Sequence, residues 1–213
     1  ATLAIHRKTF VYPHDTWYLV ESARVPTTFF SSTTTMKKIY LLCILLLMSP
    51  ALQAQLSTST LPIIRINTNG QTIADDPKIT CDMGIIYNGV GQTNSVNDPF
   101  NHFFGKIGIE IRGSTSQQYP KKSYGLETRD SLGNNLNVAL LGMPKDNDWI
   151  LYGAYPDKSL MRNEFTYTHF AQMQPWSPRY VYVELMINNN YMGVYTLLER
   201  IKVDDTRCDL ANL

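Results

Sequence analysis

Two apolar runs, RYVYVELMI (179–187) and YMGVYTLLERI (191–201), flank the asparagines Asn188, Asn189 and Asn190. Both runs are apolar on both faces, as a strand covered on two sides must be. Asparagine tolerates the positive φ that a tight turn demands. A hairpin at the centre of a sheet is therefore the strongest constraint on the fold. The stretch GKIGIEIRG adds the clearest alternation, with Ile107, Ile109 and Ile111 on one face and Gly108, Glu110 and Arg112 on the other.

The remaining elements follow from shorter signals. LPIIRIN reads as a strand that stops at the Asn-Gly turn in TNGQ, and KITCDMGIIYNG as a further strand or strand pair. Residues 61–104 thus form a small β lead-in to a main domain over 105–213. NVALLG is a short helix or strand, and DWILYG a buried strand or turn. Asp157, after Pro156, is an N-cap for a helix running to about Met173, which QPWSP ends. The fold class expected is α+β: a mostly antiparallel sheet with one or two helices.

The first residues stand apart. Met36-Lys37-Lys38 precedes the apolar run IYLLCILLLM, and SPALQAQ then offers small residues for cleavage. Residues 36–54 read as a signal peptide, 1–35 as upstream translation or a disordered extension, and 55–60 as a linker. The run is shorter than the roughly 20 residues of a spanning helix, so no stable membrane anchor is expected after cleavage. The protein is expected to be exported to a periplasm, a cell surface or the medium. With 19 Lys+Arg against 18 Asp+Glu, the net charge of +1 leaves no electrostatic footprint for nucleic acid. Cys81 and Cys208 form a disulfide or stay as two buried thiols; no His/Cys cluster has metal-ligand spacing.

The chemistry concentrates in RGSTSQQYPKKSYGLE (112–127). Alternation puts Lys122 with Tyr124 and Leu126 on the apolar face, and Lys121 towards water. A lysine turned to an apolar face must snorkel, pair or meet a ligand. Lys122 either pairs with Glu110 or a helix carboxylate, or serves an anion beside the small polar loop. The other candidates are plainer. His169 reads as a packing or surface residue, Asp146 and Asp148 as a turn, and Asp204 and Asp205 as a solvated loop. Glu110 and Glu127 could form a carboxylate pair for glycoside chemistry, but alternation turns both away from the apolar face.

Three motifs in order, IEIRGSTSQQYPKKSYGLE, LLGMPKDNDWILYGAYPDKSLMRN and YVYVELMINNNYMGVYTLLERIKVDDTR, resemble the CotH kinase family, named for a bacterial spore coat protein. The resemblance covers about 105–213. It implies the N-terminal part of an atypical protein-kinase-like fold, with ATP and Mg2+ or Mn2+ as cofactors and a serine-bearing secreted or surface protein as substrate. By the same resemblance Lys122 is the lysine that steadies the ATP phosphates, with Gly113, Ser114 and Ser116 in the loop over them. Glu199 to Ile201 would act as a hinge meeting adenine through the main chain. Arg162, Asn163 and Glu164 would pack beside the nucleotide, Glu164 being the nearest candidate partner of Lys122. The resemblance also implies that the metal-binding aspartates lie beyond Leu213, so this chain alone is expected to be inactive. The alternative is an exported surface module that binds without catalysis.

Overall fold

A computed structural model describes residue 40 and residues 55–173 and 176–209. The chain divides between residues 52 and 53 into two units, and all that follows concerns the second. The upstream segment and the signal peptide lie outside the described residues, Tyr40 excepted. Among the described residues no helix is long and apolar enough to cross a membrane.

Among the described residues nine strands are formed: β1 (Thr58–Ser59), β2 (Ile63–Asn67), β3 (Ile79–Ile86), β4 (Asn94–Ser95), β5 (Phe103–Arg112), β6 (Ser123–Arg129), β7 (Asp148–Tyr152), β8 (Tyr180–Ile187) and β9 (Asn190–Glu199). Seven of them close into a barrel in the order β2-β3-β5-β6-β7-β9-β8. Every contact between staves is antiparallel except the closing one, where β2 pairs in parallel with β8 through Ile63↔Glu184 and Ile66↔Ile187. The asparagine hairpin forms as the sequence suggests. Asn188 (φ 51°) and Asn189 (φ 65°) are the two central residues between β8 and β9, a turn whose twist matches that of its strands.

Alternate residues of each stave point inward, and this period-two rule builds one core. Ile64 and Ile66, Met83 and Ile85, Ile107 and Ile109, Tyr124 and Leu126, Trp149 and Leu151, Val183 and Leu185, Tyr195 and Leu197 are all buried in it. Fully burying one such aliphatic side chain is worth about 1.5–3 kcal/mol. The outer face carries a smaller cluster of Ile63, Ile86 and Met186, over which Leu56 and Val96 pack. There β1 pairs with β4, and the Ser59 hydroxyl donates to the buried Glu184 at 2.9 Å.

The architecture corrects the expected fold class. The domain is mainly β, a closed barrel with a single long helix among the described residues, α1 (Arg162–Met173), rather than an α+β kinase-like sheet with mixed helices. Hairpin pairing is written between sequence neighbours, but closure rests on β2 meeting β8, more than a hundred residues apart, and alternation carries no trace of that partner. Residues 61–104, read as a lead-in, supply the staves β2 and β3. The NVALLG stretch makes neither helix nor regular strand, only a bridge between Val138 and Asp146.

Helix α1 ends at Met173 as expected, and Asp157 caps it from upstream. Its carboxylate accepts the amides of Met161 (3.1 Å) and Arg162 (2.9 Å) and the Ser159 hydroxyl (2.7 Å). The Ser159 hydroxyl and the Arg162 amide hold that carboxyl at about 2, far below the usual range. The helix faces the wrong way for a simple amphipath. Glu164 is its buried residue, while Phe165, Phe170 and Met173 are exposed. His169 lies on the surface against Phe165, with ring centroids 4.0 Å apart.

Candidate functional site

The loop between β5 and β6 is built from a 3₁₀ turn, Thr115–Gln118, entered through Gly113 at φ +111°. A side chain at Gly113 would be strained there and would collide with the Ser116 hydroxyl. The turn is pinned from two sides. The Gln117 side-chain amide donates to the Gly113 carbonyl (2.6 Å) and to Asp75 (2.7 Å), and its main-chain carbonyl accepts the Lys122 ammonium at 2.5 Å. Beneath the loop, the Tyr195 hydroxyl inside the barrel donates to the Lys122 carbonyl at 2.9 Å.

Lys122 thus sits just before β6, at the mouth of the barrel, and forms no ion pair among the described residues. The partners suggested for it are engaged elsewhere: Glu110 faces Lys78 at 3.4 Å, and Glu164 accepts the Thr196 hydroxyl at 2.6 Å. The hydroxyls of Ser114 and Ser116 make no hydrogen bond among the described residues. One end of the barrel therefore presents an ammonium with spare donors and two uncommitted hydroxyls on a pinned loop. This is a donor set suited to an anion.

Lys121 departs from the alternation. It is half-buried rather than turned to water; its ammonium donates to the Val194 carbonyl at 2.5 Å and lies 4.5 Å from the Tyr195 ring centroid. Burial lowers the pKa of this ammonium. The reason is local: β7 stops opposite Thr196, so β9 has an unpaired edge from Val194 backwards, and Lys121 fills it.

Glu199 and Ile201 are not brought to this loop. Arg112 faces Ser123 at the loop end, whereas Trp149 faces Glu199, three residues along β9 from the Tyr152–Thr196 pair, or about 10 Å away. Ile201 is exposed. The Glu199 side chain is fully buried and carries a structural load. Oε1 lies 2.8 Å from Arg179 and 2.6 Å from Arg207, itself completely buried.

Arg207 also bonds Asp146 at 2.8 Å and stacks on Trp149 at 5.0 Å, and Lys202 bridges Asp146 (2.8 Å) and Asp148 (3.2 Å). Burial would raise the Asp146 carboxyl, but the Asp148 amide, Lys202 and Arg207 outweigh it and hold it at about 2. Sequence reading missed this network. Its signal was the mixed charge of KDNDW and ERIKVDDTR, whose carboxylates take lysine and arginine instead of a metal ion. Among the described residues no three His, Cys, Asp or Glu side chains converge as metal ligands. Cys81 and Cys208 are both free thiols, and burial pushes Cys81 up to about 11.

No curated protein matches this chain. Residues 109–208 match the family model described as CotH kinase protein, a span that runs from the middle of β5 through the loop, α1 and the hairpin to Cys208. The motifs and the family model agree in what they point to: residues 109–208 are similar to the CotH kinase protein family.

Proposed function

We propose that this domain is the nucleotide-binding portion of an exported CotH-like kinase, which takes ATP and phosphorylates hydroxyls of secreted or surface proteins. One observation carries the reading: within the matched residues, Lys122 holds its ammonium on a main-chain carbonyl rather than a carboxylate, beside the free hydroxyls of Ser114 and Ser116. A lysine so placed has no carboxylate partner to give up for an incoming phosphate and is already oriented, which lowers the ordering cost of binding. The phosphates would meet Lys122 and the two hydroxyls while the pinned loop excludes water from one side. A divalent cation would neutralise the remaining phosphate charge in such chemistry. The described residues provide no ligand set for one, and no step is assigned to it.

Titration with ATP tests this. Wild type should bind, Lys122→Ala should lose roughly tenfold or more in affinity, and Lys158→Ala, which bonds only Tyr155, should match wild type. Equal affinity of wild type and Lys122→Ala for ATP would sink the proposal.

A second reading, an exported module that binds without catalysis, is favoured by the acidic residues of the matched stretch. Asp146, Asp148, Asp157 and Glu199 are all held by cations, hydroxyls or amides. Transfer of the γ-phosphoryl group from ATP to a protein serine separates the two, since only the kinase produces phosphoserine.

A further inference from the structure

A groove on the barrel wall lies far from the loop. It has a volume of about 730 Å³ and opens on the outer face of β2, β3 and β5, beside the Asn188–Asn189 turn. Along β5 its Phe104 stands eight residues from Arg112, or about 26 Å. The floor is aromatic. A Cβ at Gly84 would run into the Phe100 ring, so the bare backbone of β3 lets that ring lie flat on the sheet. Phe104, which pairs with Gly84 in the register, stacks parallel to Phe100 with centroids 5.4 Å apart and planes 4° apart. It stays 66% exposed.

The walls are planar and polar. Arg65 faces Gly84 across the sheet, lies 5.7 Å from the Phe100 centroid, and is fixed by the Val96 carbonyl and Asn189 Oδ1, each at 3.0 Å. In the next cross-strand row Asn67 faces Asp82, which is held by Lys106 at 2.6 Å and by the Asn69 amide at 3.0 Å.

We infer that this groove is a binding site for a neutral saccharide chain. An exposed pair of parallel rings offers a platform for the apolar face of a pyranose ring. Amide, carboxylate and guanidinium groups in fixed positions around it can donate to and accept from vicinal hydroxyls. The lining carries both signs of charge, Arg65 against Asp82, which disfavours a polyanion. A peptide cannot add as a strand, because β2 and β3 are paired on both sides within the closed barrel. The groove is also too wide for a lone ion and too polar at its rim for a purely apolar segment.

Calorimetric titration of the whole chain with neutral oligosaccharides tests the inference, using β-linked glucose and N-acetylglucosamine hexamers and an α-linked mannose oligomer. At least one should bind at millimolar concentration or better. Phe104→Ala, an exposed position whose loss leaves the core intact, should weaken it roughly tenfold, while Lys122→Ala leaves it unchanged. Asn67→Ala, at the other wall, should weaken it as well. The inference is overturned if none of the three probes binds, if binding survives Phe104→Ala unchanged, or if a proline-rich peptide binds the groove and the saccharides do not.

Discussion

Arg207 offers the sharpest test of how this barrel is held shut at the end away from the loop. Replacing it with methionine keeps a long stem against Trp149 but removes the cation shared by Asp146 and Glu199, both almost wholly buried. Breaking a buried pair by deleting one partner costs about 3–5 kcal/mol. Lys202 still serves Asp146 and Arg179 still serves Glu199, so the lower end, about 3 kcal/mol, is expected here. The acid dependence supplies an independent magnitude. The Asp146 carboxyl falls from an ordinary 3.8 to about 2 on folding. At about 1.36 kcal/mol per pKa unit, that shift stores on the order of 2 kcal/mol. Because the folded value is the lower one, the unfolded chain takes up its proton first. The stabilisation is therefore complete above about pH 4 and drains away as pH falls towards 2. Urea unfolding followed by circular dichroism from pH 7 to pH 2 reads both quantities. Arg207→Met should be less stable at pH 7 and lose less on acidification, since Arg207 supplies part of the depression. Adding Glu199→Gln should recover some of the loss, because a buried carboxylate that has lost one of its two cations is removed. A variant as stable as wild type at pH 7, with an undiminished acid slope, would refute this account.

Two further outcomes concern the rest of the barrel. His102 accepts the Leu141 amide at 2.7 Å, and burial lowers its pKa, so its folded form resists protonation. Stability should fall as pH drops below about 6.5, where the unfolded chain begins to bind the proton, and His102→Gln should remove that part of the slope in the same unfolding assay. Thr196 is the hydrogen-bond donor to Glu164, whose Oε2 is buried without a partner. Thr196→Val should cost about 1–3 kcal/mol by thermal or urea unfolding, and Thr196→Val with Glu164→Leu should return most of it, because the buried carboxyl left without a partner then goes too.

The parts legible in the sequence are those in which a residue and its determinant are close in the chain. The turn at Asn188–Asn189 needs only two residues that accept positive φ, and the Ile107–Ile109 face needs only alternation. The Asp157 cap was likewise visible. The placement of Lys121 was misjudged for a related reason. Alternation assigns faces only inside a paired strand, and β6 begins at Ser123, so Lys121 and Lys122 lie where the pleat no longer governs direction. Lys121 is placed by an unpaired carbonyl on β9, a feature set by where β7 happens to stop. Helix α1 hid its orientation as well. Its buried glutamate answers a threonine on β9, and no apolar period announces that contact.

The two ends of the barrel divide the work of the charged residues. At the Glu199 end, carboxylates and cations of the matched stretch neutralise one another around Trp149, leaving little charge for a ligand. At the loop end the balance differs: among the described residues the Lys122 ammonium meets only the Gln117 carbonyl. The barrel core reaches this end through Tyr195, which stacks with Tyr124 at 6.2 Å, holds the Lys122 carbonyl and lies under the Lys121 ammonium. The main chain at Lys122 is thus fixed from within, while its ammonium rests on the Gln117 carbonyl with no carboxylate partner among the described residues. An anion arriving at the mouth would find the charge already positioned, so the cost of ordering it is met in folding rather than in binding.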